Sequence, residues 1–282
     1  MAATNRVHYY HADVNALGGY LERPIEQIIP LQVPLSLSPS GGYGSAYAEN
    51  FRLAGVISYK SAYTQVSGAL SKKEGHGWVT LATSVVEGLN VLNVITADRI
   101  CSQISTEHPL VGNYPSVTFL GTSFENLKVS GCPIDVTLDL NVCDQGNAGG
   151  YPGQSLVSDG DFLDRVAAQY SRIVDKKSQP EWVKDKSVPG WIPERYRLDK
   201  PTDGERCSVL SSVVKEISGK FPGRPFGNVL EIPEFGRVFL GELLVDCSSF
   251  QLIMLRMELG CSGHGQIAAA PARANGGTYP PS

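Results

Sequence analysis

Residues 79–104 read VTLATSVVEGLNVLNVITADRICSQI, and this stretch decides the fold class of the chain. It is rich in β-branched residues, polar residues occupy many alternate positions, and Gly88 fits a bulge or bend. Two further segments share this texture, SVTFLGTSFENLKVSGCPIDVTLDLNV at 116–142 and NVLEIPEFGRVFLGELLVDCSSFQLIMLRMELG at 228–260. The sequence therefore predicts a mainly β protein, an antiparallel β-sandwich with an α-containing insertion.

The insertion is predicted at residues 144–227, where the composition changes between the β segments. We interpret it as a helix-and-loop insertion into one sandwich, whose own residues are 46–143 and 228–270. The stronger helix prediction is SDGDFLDRVAAQYSRIV at 158–174, with an N-cap at Asp159 or Asp161. One apolar face of this helix is formed by Phe162, Val166, Tyr170 and Val174. A second helix is predicted over 207–221, CSVLSSVVKEISGKF, with Gly219 at its end.

The two ends of the chain are predicted to lie outside the sandwich. Residues 1–45 contain prolines that exclude a helix and disfavour a central strand, so we expect an extended N-terminal arm. Residues 271–282 are small and polar and are expected to form a C-terminal tail. An extended arm of this kind can pair with the open sheet edge of a neighbouring chain.

Charge and hydropathy argue against two classes of partner. The 282 residues include 24 Lys and Arg against 28 Asp and Glu, without long runs of like charge. A nucleic-acid surface needs clustered basic residues, so no nucleic-acid partner is predicted. No apolar stretch reaches the roughly 18 residues needed to span a bilayer, so no membrane insertion is predicted. The N-terminus lacks the apolar core of a signal peptide, so the protein is expected either to be cytoplasmic or to be exported by a route that needs no such signal.

The six cysteines permit up to three disulfides, but in a chain of this length their even number is weak evidence. No CxxC pair is present, so a zinc ribbon is not supported. Buried thiols with one disulfide at most are the preferred interpretation. The cysteines are Cys101, Cys132, Cys143, Cys207, Cys247 and Cys261.

Motifs for catalysis, cofactors and metals are weak throughout. His8 and His11 would share a face only on a helix, and no third ligand lies nearby in the sequence. The aspartates of SDGDFLD, at 158–164, lack the register of a calcium loop, and helix capping explains the first of them better. No GxSxG nucleophile motif occurs. We therefore predict no catalytic residues, no cofactor and no metal.

Tyrosines concentrate in the first half of the chain and supply the candidate contact surface. Exposed aromatic side chains on a β face can fill a protein interface or stack on sugar rings. Half-buried strand positions are the simpler explanation for any one of them. The candidate interface residues are Tyr9, Tyr10, Tyr20, Tyr43 and Tyr47.

Four phrases resemble the bacterial choice-of-anchor P family: TSVVEGLNVLNVITADRICSQ, SVTFLGTSFENLKVSGCPIDV, LEIPEFGRVFLGE and QLIMLRMELG. The likeness covers roughly residues 80–136 and 229–260, and the 140–227 segment interrupts the family's strand order. The resemblance implies an exported β-sandwich displayed at or beyond the cell surface. It supplies no catalytic residues.

Taken with the missing catalytic motifs, these patterns predict a non-enzymatic structural or surface-associated protein. Its partner is expected to be another copy of the chain or another protein, in a homo-oligomer or filament. One alternative is a carbohydrate-binding module or glycan-acting enzyme that uses the tyrosines with acids such as Asp98, Glu125 and Asp135. Another is an intracellular bacterial or phage protein whose cysteines stay reduced.

Overall fold

Two antiparallel sheets pack face to face in the computed structural model, which describes residues 6–23, 26–146, 152–197, 208–247, 249–260 and 264–279. Strands account for 57% of the described residues and helices for 10%, which confirms the mainly β sandwich. One sheet has ten strands and is called sheet A, and the other has eight and is called sheet B. A separate two-stranded ribbon completes the β structure.

Sheet B is built on a hairpin that contains the predicted β segment 79–104. Its two long strands pair from Trp78↔His108 to Val91↔Ile95. Strand order is β12-β11-β8-β7-β6-β5, with β9 and β10 also paired to β8. The bounds are β5 Gly42–Leu53, β6 Ile57–Leu70, β7 Trp78–Val91, β8 Ile95–His108, β9 Ser116–Thr118, β10 Ser123–Glu125, β11 Lys128–Val129 and β12 Cys132–Pro133.

Sheet A combines both ends of the chain. Its main order is β16-β17-β18-β19-β20-β1-β4, while β2 pairs with β20 and β3, and β14 pairs with β18. The bounds are β1 Val7–Val14, β2 Leu17–Arg23, β3 Gln27–Gln32, β4 Leu35–Ser36, β14 Ser208–Ser212, β16 Arg224–Phe226, β17 Val229–Ile232, β18 Gly236–Asp246, β19 Phe250–Leu259 and β20 His264–Tyr279; the ribbon is β13 Asp135–Leu138 with β15 Val214–Ser218.

The predicted N-terminal arm at 1–45 is wrong for its described residues, because β1 and β2 both pair with β20 inside sheet A. Strand β1 alternates between faces, so Ala12 and Val14 enter the core that lies between the sheets. The predicted tail at 271–282 is also wrong up to residue 279, since β20 runs to Tyr279 as a central strand. Apolar alternation, rather than proline content, decided the position of both ends.

The insertion at 144–227 contains the stronger of the two predicted helices, together with strands that the sequence does not predict. Helix α1 spans Gly160–Val174, and the Asp159 carboxylate accepts a hydrogen bond from the backbone N–H of Phe162 at 2.8 Å, as expected for an N-cap. Its buried face ends at Ile173, and Val174 is exposed instead. The remaining helical pieces are α2 at Trp191–Arg195 and two 3₁₀ turns at Leu156–Ser158 and Lys176–Ser178.

The second predicted helix, at 207–221, is wrong over its described residues. Residues 208–212 form β14, which pairs with β18, and residues 214–218 form β15, which pairs with β13. The β-branched side chains Val209, Val213 and Val214 are buried in this arrangement. Pairing with distant strands therefore overrides a weak helical pattern. The insertion returns the chain to sheet A before residue 228, so the sandwich begins again earlier than predicted.

Helix α1 covers the edge of β14 that faces away from β18. The side-chain amide of Gln169 donates to the carbonyl of Ser212 at 2.8 Å and accepts from the Ser212 N–H at 3.2 Å. The hydroxyl of Tyr170 donates to the carbonyl of Leu210. These are the hydrogen bonds that a neighbouring strand would otherwise make, so the helix closes this edge.

Helix α2 is held to sheet A by a buried carboxylate. Glu242 on β18 is 5% exposed, and it accepts from Arg195 on α2 at 2.6 Å and from Arg256 on β19 at 2.5 Å. Both guanidinium groups also lie over the ring of Phe239. Trp191 of α2 packs edge-on against the same ring. The clamp joins the insertion to two strands of the sandwich.

Candidate functional site

Strand β5 presents the longest open edge among the described residues. It forms one end of sheet B and pairs with β6 alone. It has 12 residues and contains neither proline nor lysine. The other strands at sheet ends are shorter, and most contain a proline: β16 with Pro225, β12 with Pro133 and β3 with Pro30. Short strands and prolines are the usual protection against edge-to-edge pairing, and β5 has neither.

The five candidate tyrosines lie on three different parts of the molecule. Tyr43 and Tyr47 project from β5 and are 69% and 60% exposed. Tyr9 and Tyr20 are exposed on sheet A, on β1 and β2. Tyr10 is buried in the core, so its assignment to an interface is wrong, because neighbouring residues of a strand point to opposite faces.

A polar network crosses the outer face of sheet B beside these two tyrosines. The strand register aligns Glu49, Ser61, Glu87, Arg99 and Glu125 across five strands. The Arg99 guanidinium donates to Glu125 at 3.0 Å and lies 3.9 Å from Glu87. Ser61 donates to Glu87 at 2.6 Å. The network orders this face without any contribution from the core.

The rings beside this network are held by the same side chains. Arg99 donates to the hydroxyl of Tyr63 at 3.2 Å, and this bond heads the causes that raise the pKa of Arg99. The Tyr47 hydroxyl donates to Glu49. Tyr63 and Arg99 are not among the predicted site residues, although the register of the β7–β8 hairpin places Arg99 opposite Glu87. The outer face of sheet B is therefore an ordered surface of phenol, amide, hydroxyl and carboxylate groups.

The three acids of the glycan hypothesis are not part of one group. Glu125 lies on the outer face of sheet B in its ion pair with Arg99. Asp98 accepts a hydrogen bond from the side chain of Asn126 at 2.9 Å. Asp135 lies on β13 in the separate ribbon. Each acid thus has its own surroundings, and a pair of carboxylates facing one substrate is not formed by these residues.

His8 and His11 separate to opposite faces of β1. His11 lies outside, 2.8 Å from the carboxylate of Asp13. His8 lies inside, stacked on Trp78 at 5.2 Å and next to His108 at 4.8 Å between ring centroids. Burial lowers the pKa of His8 and of His108 to about 4, so both rings are neutral at pH 7. The contact between His8 and His108 joins β1 of sheet A to the last residue of β8 in sheet B.

Burial also governs the cysteines that the structure describes. Cys101 and Cys143 are buried free thiols, and desolvation raises the pKa of both. Cys132 is a half-buried free thiol, and Cys247 lies at the surface near the end of β18. Cys207 and Cys261 lie outside the described residues. Buried thiols of raised pKa are poor nucleophiles, which agrees with a structural role for Cys101 and Cys143.

Asp159 serves α1 rather than a cation. Its carboxylate accepts hydrogen bonds from the Phe162 N–H and from the side-chain amides of Gln145 and Gln154, each within 3.1 Å. Over the described ranges, no three His, Cys, Asp or Glu side chains converge in a group that could hold a metal ion. In the part of the chain with described structure, no helix combines the length and apolar character needed to cross a membrane.

The fold and these surfaces define a mainly β, antiparallel sandwich protein with a helical insertion that closes one sheet edge. Residues 8–246 match the family model for a domain of unknown function, DUF8256, and the chain belongs to that family. The matched region runs from β1 to the end of β18. No curated protein matches the chain. No solved structure matches it either.

Proposed function

We propose that this protein is a non-enzymatic structural protein that works through protein contacts, and that copies of the chain associate through β5. The observation that carries the proposal is the open edge of β5, which lacks the protection found at the other sheet ends. The N-terminal segment is not available as a swapping arm, because β1 and β2 are paired within their own chain. The free edge of β5 takes that role instead.

A symmetric dimer follows from the geometry of the strand. Two β5 strands can pair antiparallel about a two-fold axis, so that sheet B continues from one copy into the next. Main-chain hydrogen bonds then replace bonds to water along the edge. Tyr43 and Tyr47, which project beside the seam, add apolar area to the contact. Such an arrangement uses one self-complementary surface on each copy.

The association is tested by multi-angle light scattering across a wide concentration range. The double variant Tyr43→Lys/Tyr47→Lys places the charged residues that protect natural edges on β5. The matched control, Tyr20→Lys/Tyr279→Lys, changes two exposed tyrosines of sheet A. We expect the native chain and the control to form dimers or larger species and the β5 variant to be monomeric. A native chain that stays monomeric at every concentration would contradict the proposal.

We further propose display at or beyond a bacterial cell surface, which rests on the resemblance to choice-of-anchor P proteins. The phrases of that resemblance fall on β7 and β8, on the short strands from β9 to β13, and on β17, β18 and β19. Fractionation of the source cells tests the location. Recovery in the cytosol alone would favour the intracellular alternative.

Glycan binding is the second candidate function, and the outer face of sheet B is the observation that favours it. Sugar-binding sites combine aromatic rings with amide and carboxylate groups, and this face offers Tyr47, Tyr63, Gln65 and Gln103 together with Glu87. A glycan array of the native chain, with Tyr47→Ser as the matched variant, tests the candidate. Absence of hits would remove it without affecting the association through β5.

A further inference from the structure

A cleft of about 750 Å³ opens beside β1 and β20 of sheet A, and no residue of β5 lines it. Its walls come from β1, β20, the loop that follows β8 and the turn at the start of the insertion. This convergence of distant segments makes the cleft a property of the tertiary fold. The polar and aromatic side chains that line it include Tyr9, His11, Tyr114, Gln154, Arg273 and Asn275.

Arg273 is the unusual member of this set. It is partly buried, its Nε is fully buried, and its guanidinium makes no hydrogen bond or ion pair with any residue that the structure describes. The register places it opposite Asp13 on β1 and Gln251 on β19. The Asp13 carboxylate is already engaged by the hydroxyl of Ser36 at 2.6 Å and by His11. A partly desolvated cation without a partner is costly, so an anion is expected here.

The remaining polar groups fit a ligand that also carries hydroxyl groups. Asn275 contacts the His108 ring through its Oδ1 at 3.2 Å, and its amide nitrogen has no partner among the described residues. Asp246 also lines the cleft, but its carboxylate is engaged by the N–H and hydroxyl of Ser249.

Two tyrosines supply the apolar part of the cleft. Tyr9 is 55% exposed on β1 and Tyr114 is 38% exposed on the loop after β8. Exposed phenol rings are suited to the C–H faces of sugar rings, while amide groups suit their hydroxyls. One unpaired guanidinium, amide groups and aromatic rings around a cleft of this size match a sugar that bears a carboxylate.

We propose that this cleft binds a sugar acid, with Arg273 pairing with its carboxylate and Tyr9 and Tyr114 contacting its ring. A guanidinium and a carboxylate form charge-assisted hydrogen bonds, which are stronger than neutral ones. The site lies on sheet A and is independent of association through β5. It also differs from the glycan candidate on sheet B, which contains no unpaired cation of this kind among its described residues.

The experiment is saturation-transfer NMR with glucuronate as the probe and glucose as its neutral match. We expect glucuronate to bind the native chain and glucose to bind at least about tenfold more weakly, because loss of a charged hydrogen bond costs roughly that factor. The variant Arg273→Gln should weaken glucuronate binding by a similar factor. The control Arg172→Gln changes an exposed arginine of α1 and should leave binding unchanged.

The outcomes are distinguishable. No binding of glucuronate by the native chain, equal binding of the two sugars, or equal binding by Arg273→Gln and the native chain would each overturn the proposal. Circular dichroism checks that Arg273→Gln is folded. If it is not, Tyr114→Ala in the surface loop takes its place, and undiminished glucuronate binding by that variant would overturn the ring contact.

Discussion

Strands β14 and β5 each pair with one other strand, but the second edge of β14 is covered and that of β5 is open. The free edge of β14 is covered by α1, whose Gln169 side chain satisfies both the N–H and the carbonyl of Ser212. The free edge of β5 is more than twice as long and has no such cover among the described residues. An edge that is sealed from inside the chain cannot receive a partner, whereas an unsealed edge can.

The difference also gives the insertion a physical role. The helix-and-loop segment between the β groups is a natural place to look for the particular function of the protein. Instead, α1 completes β14, and α2 is clamped to β18 and β19 by Glu242. The insertion is thus part of what makes sheet A self-contained. The exposed chemistry lies on sheet B and in the cleft around Arg273.

The largest effect is expected from breaking the clamp that holds the covered region. Glu242→Ala leaves Arg195 and Arg256 without their shared carboxylate in a partly buried site. Removal of one partner from a buried ion pair typically costs about 3–5 kcal/mol in the free energy of unfolding. Urea denaturation measures this cost. The control is Glu194→Ala, an exposed acid on α2 next to Arg195, which should change stability by less than about 0.5 kcal/mol.

Equal effects of Glu242→Ala and Glu194→Ala would show that the clamp does not stabilise the fold. The β5 edge should behave differently from the clamp, because no buried charge holds it. Association measured by light scattering should therefore survive in any Glu242 variant that remains folded.

Lowering the pH should reduce the free energy of unfolding through the histidines buried between the sheets, rather than through groups at either sheet edge. The folded pKa values of His8 and His108 are about 4, below the ordinary value of 6.5, because both rings are buried. Between those two pH values the unfolded chain binds protons that the folded chain excludes. The free energy of unfolding is therefore highest above pH 6.5 and falls as the pH drops towards 4, on the order of 3 kcal/mol for each ring.

Urea denaturation from pH 7 to pH 4 measures this slope. His8→Gln should reduce the slope of the free energy of unfolding against pH, because one of the two buried rings no longer titrates. His11→Gln, which changes the exposed histidine of the same strand, should leave the slope nearly as it was. A native chain whose stability is constant over this range would refute the burial argument.

A smaller effect is expected from removing the helix side chain that imitates a strand. Gln169→Leu leaves the N–H and the carbonyl of Ser212 without their present partner. Unsatisfied backbone groups of this kind cost about 1–3 kcal/mol. Hydrogen exchange at the Ser212 amide should become faster, while exchange along β5 stays unchanged. Ser171→Ala, on the exposed side of α1, is the control, and equal exchange in both variants would argue against edge covering.

The smallest effect is expected at β5 itself. Tyr47→Ser removes an exposed ring, so the stability of the monomer should change by less than about 0.5 kcal/mol. Tyr10→Ser is the informative counterpart, because the same substitution in the core should cost about 3–5 kcal/mol. Thermal denaturation at a protein concentration that keeps both variants monomeric measures the two changes. Similar losses would mean that β5 contributes to the core rather than to a surface.

Local sequence patterns were sufficient for several elements. The β-branched residues of 79–104 predict β structure where β7 and β8 lie, and Asp159, one of the two predicted N-cap candidates, is the residue where the structure places the cap. The same patterns fail at 207–221, where burial of Val209 against distant strands outweighs helical spacing. They also fail at 1–45 and 271–282, because prolines and small residues do not reveal that β1 and β20 pair with each other.

The candidate sites depend even more on distant contacts. Tyr9 and Tyr10 are neighbours of the same residue type. Only the packing of β1 in sheet A decides that the Tyr9 side chain lies outside and the Tyr10 side chain lies in the core. His8 and His108 meet only because the two sheets pack together.

The sequence by itself determined that the protein is mainly β, that residues 79–104 are β structure, and that a capped helix interrupts the sandwich. These features arise from the preferences of neighbouring residues along the chain. The tertiary structure alone decided that α1 closes β14, that β5 stays open, and that Arg273 lines a cleft with its Nε buried and without a hydrogen-bond partner among the described residues. Those outcomes depend on strand register and sheet order, which bring together residues that are far apart in the sequence.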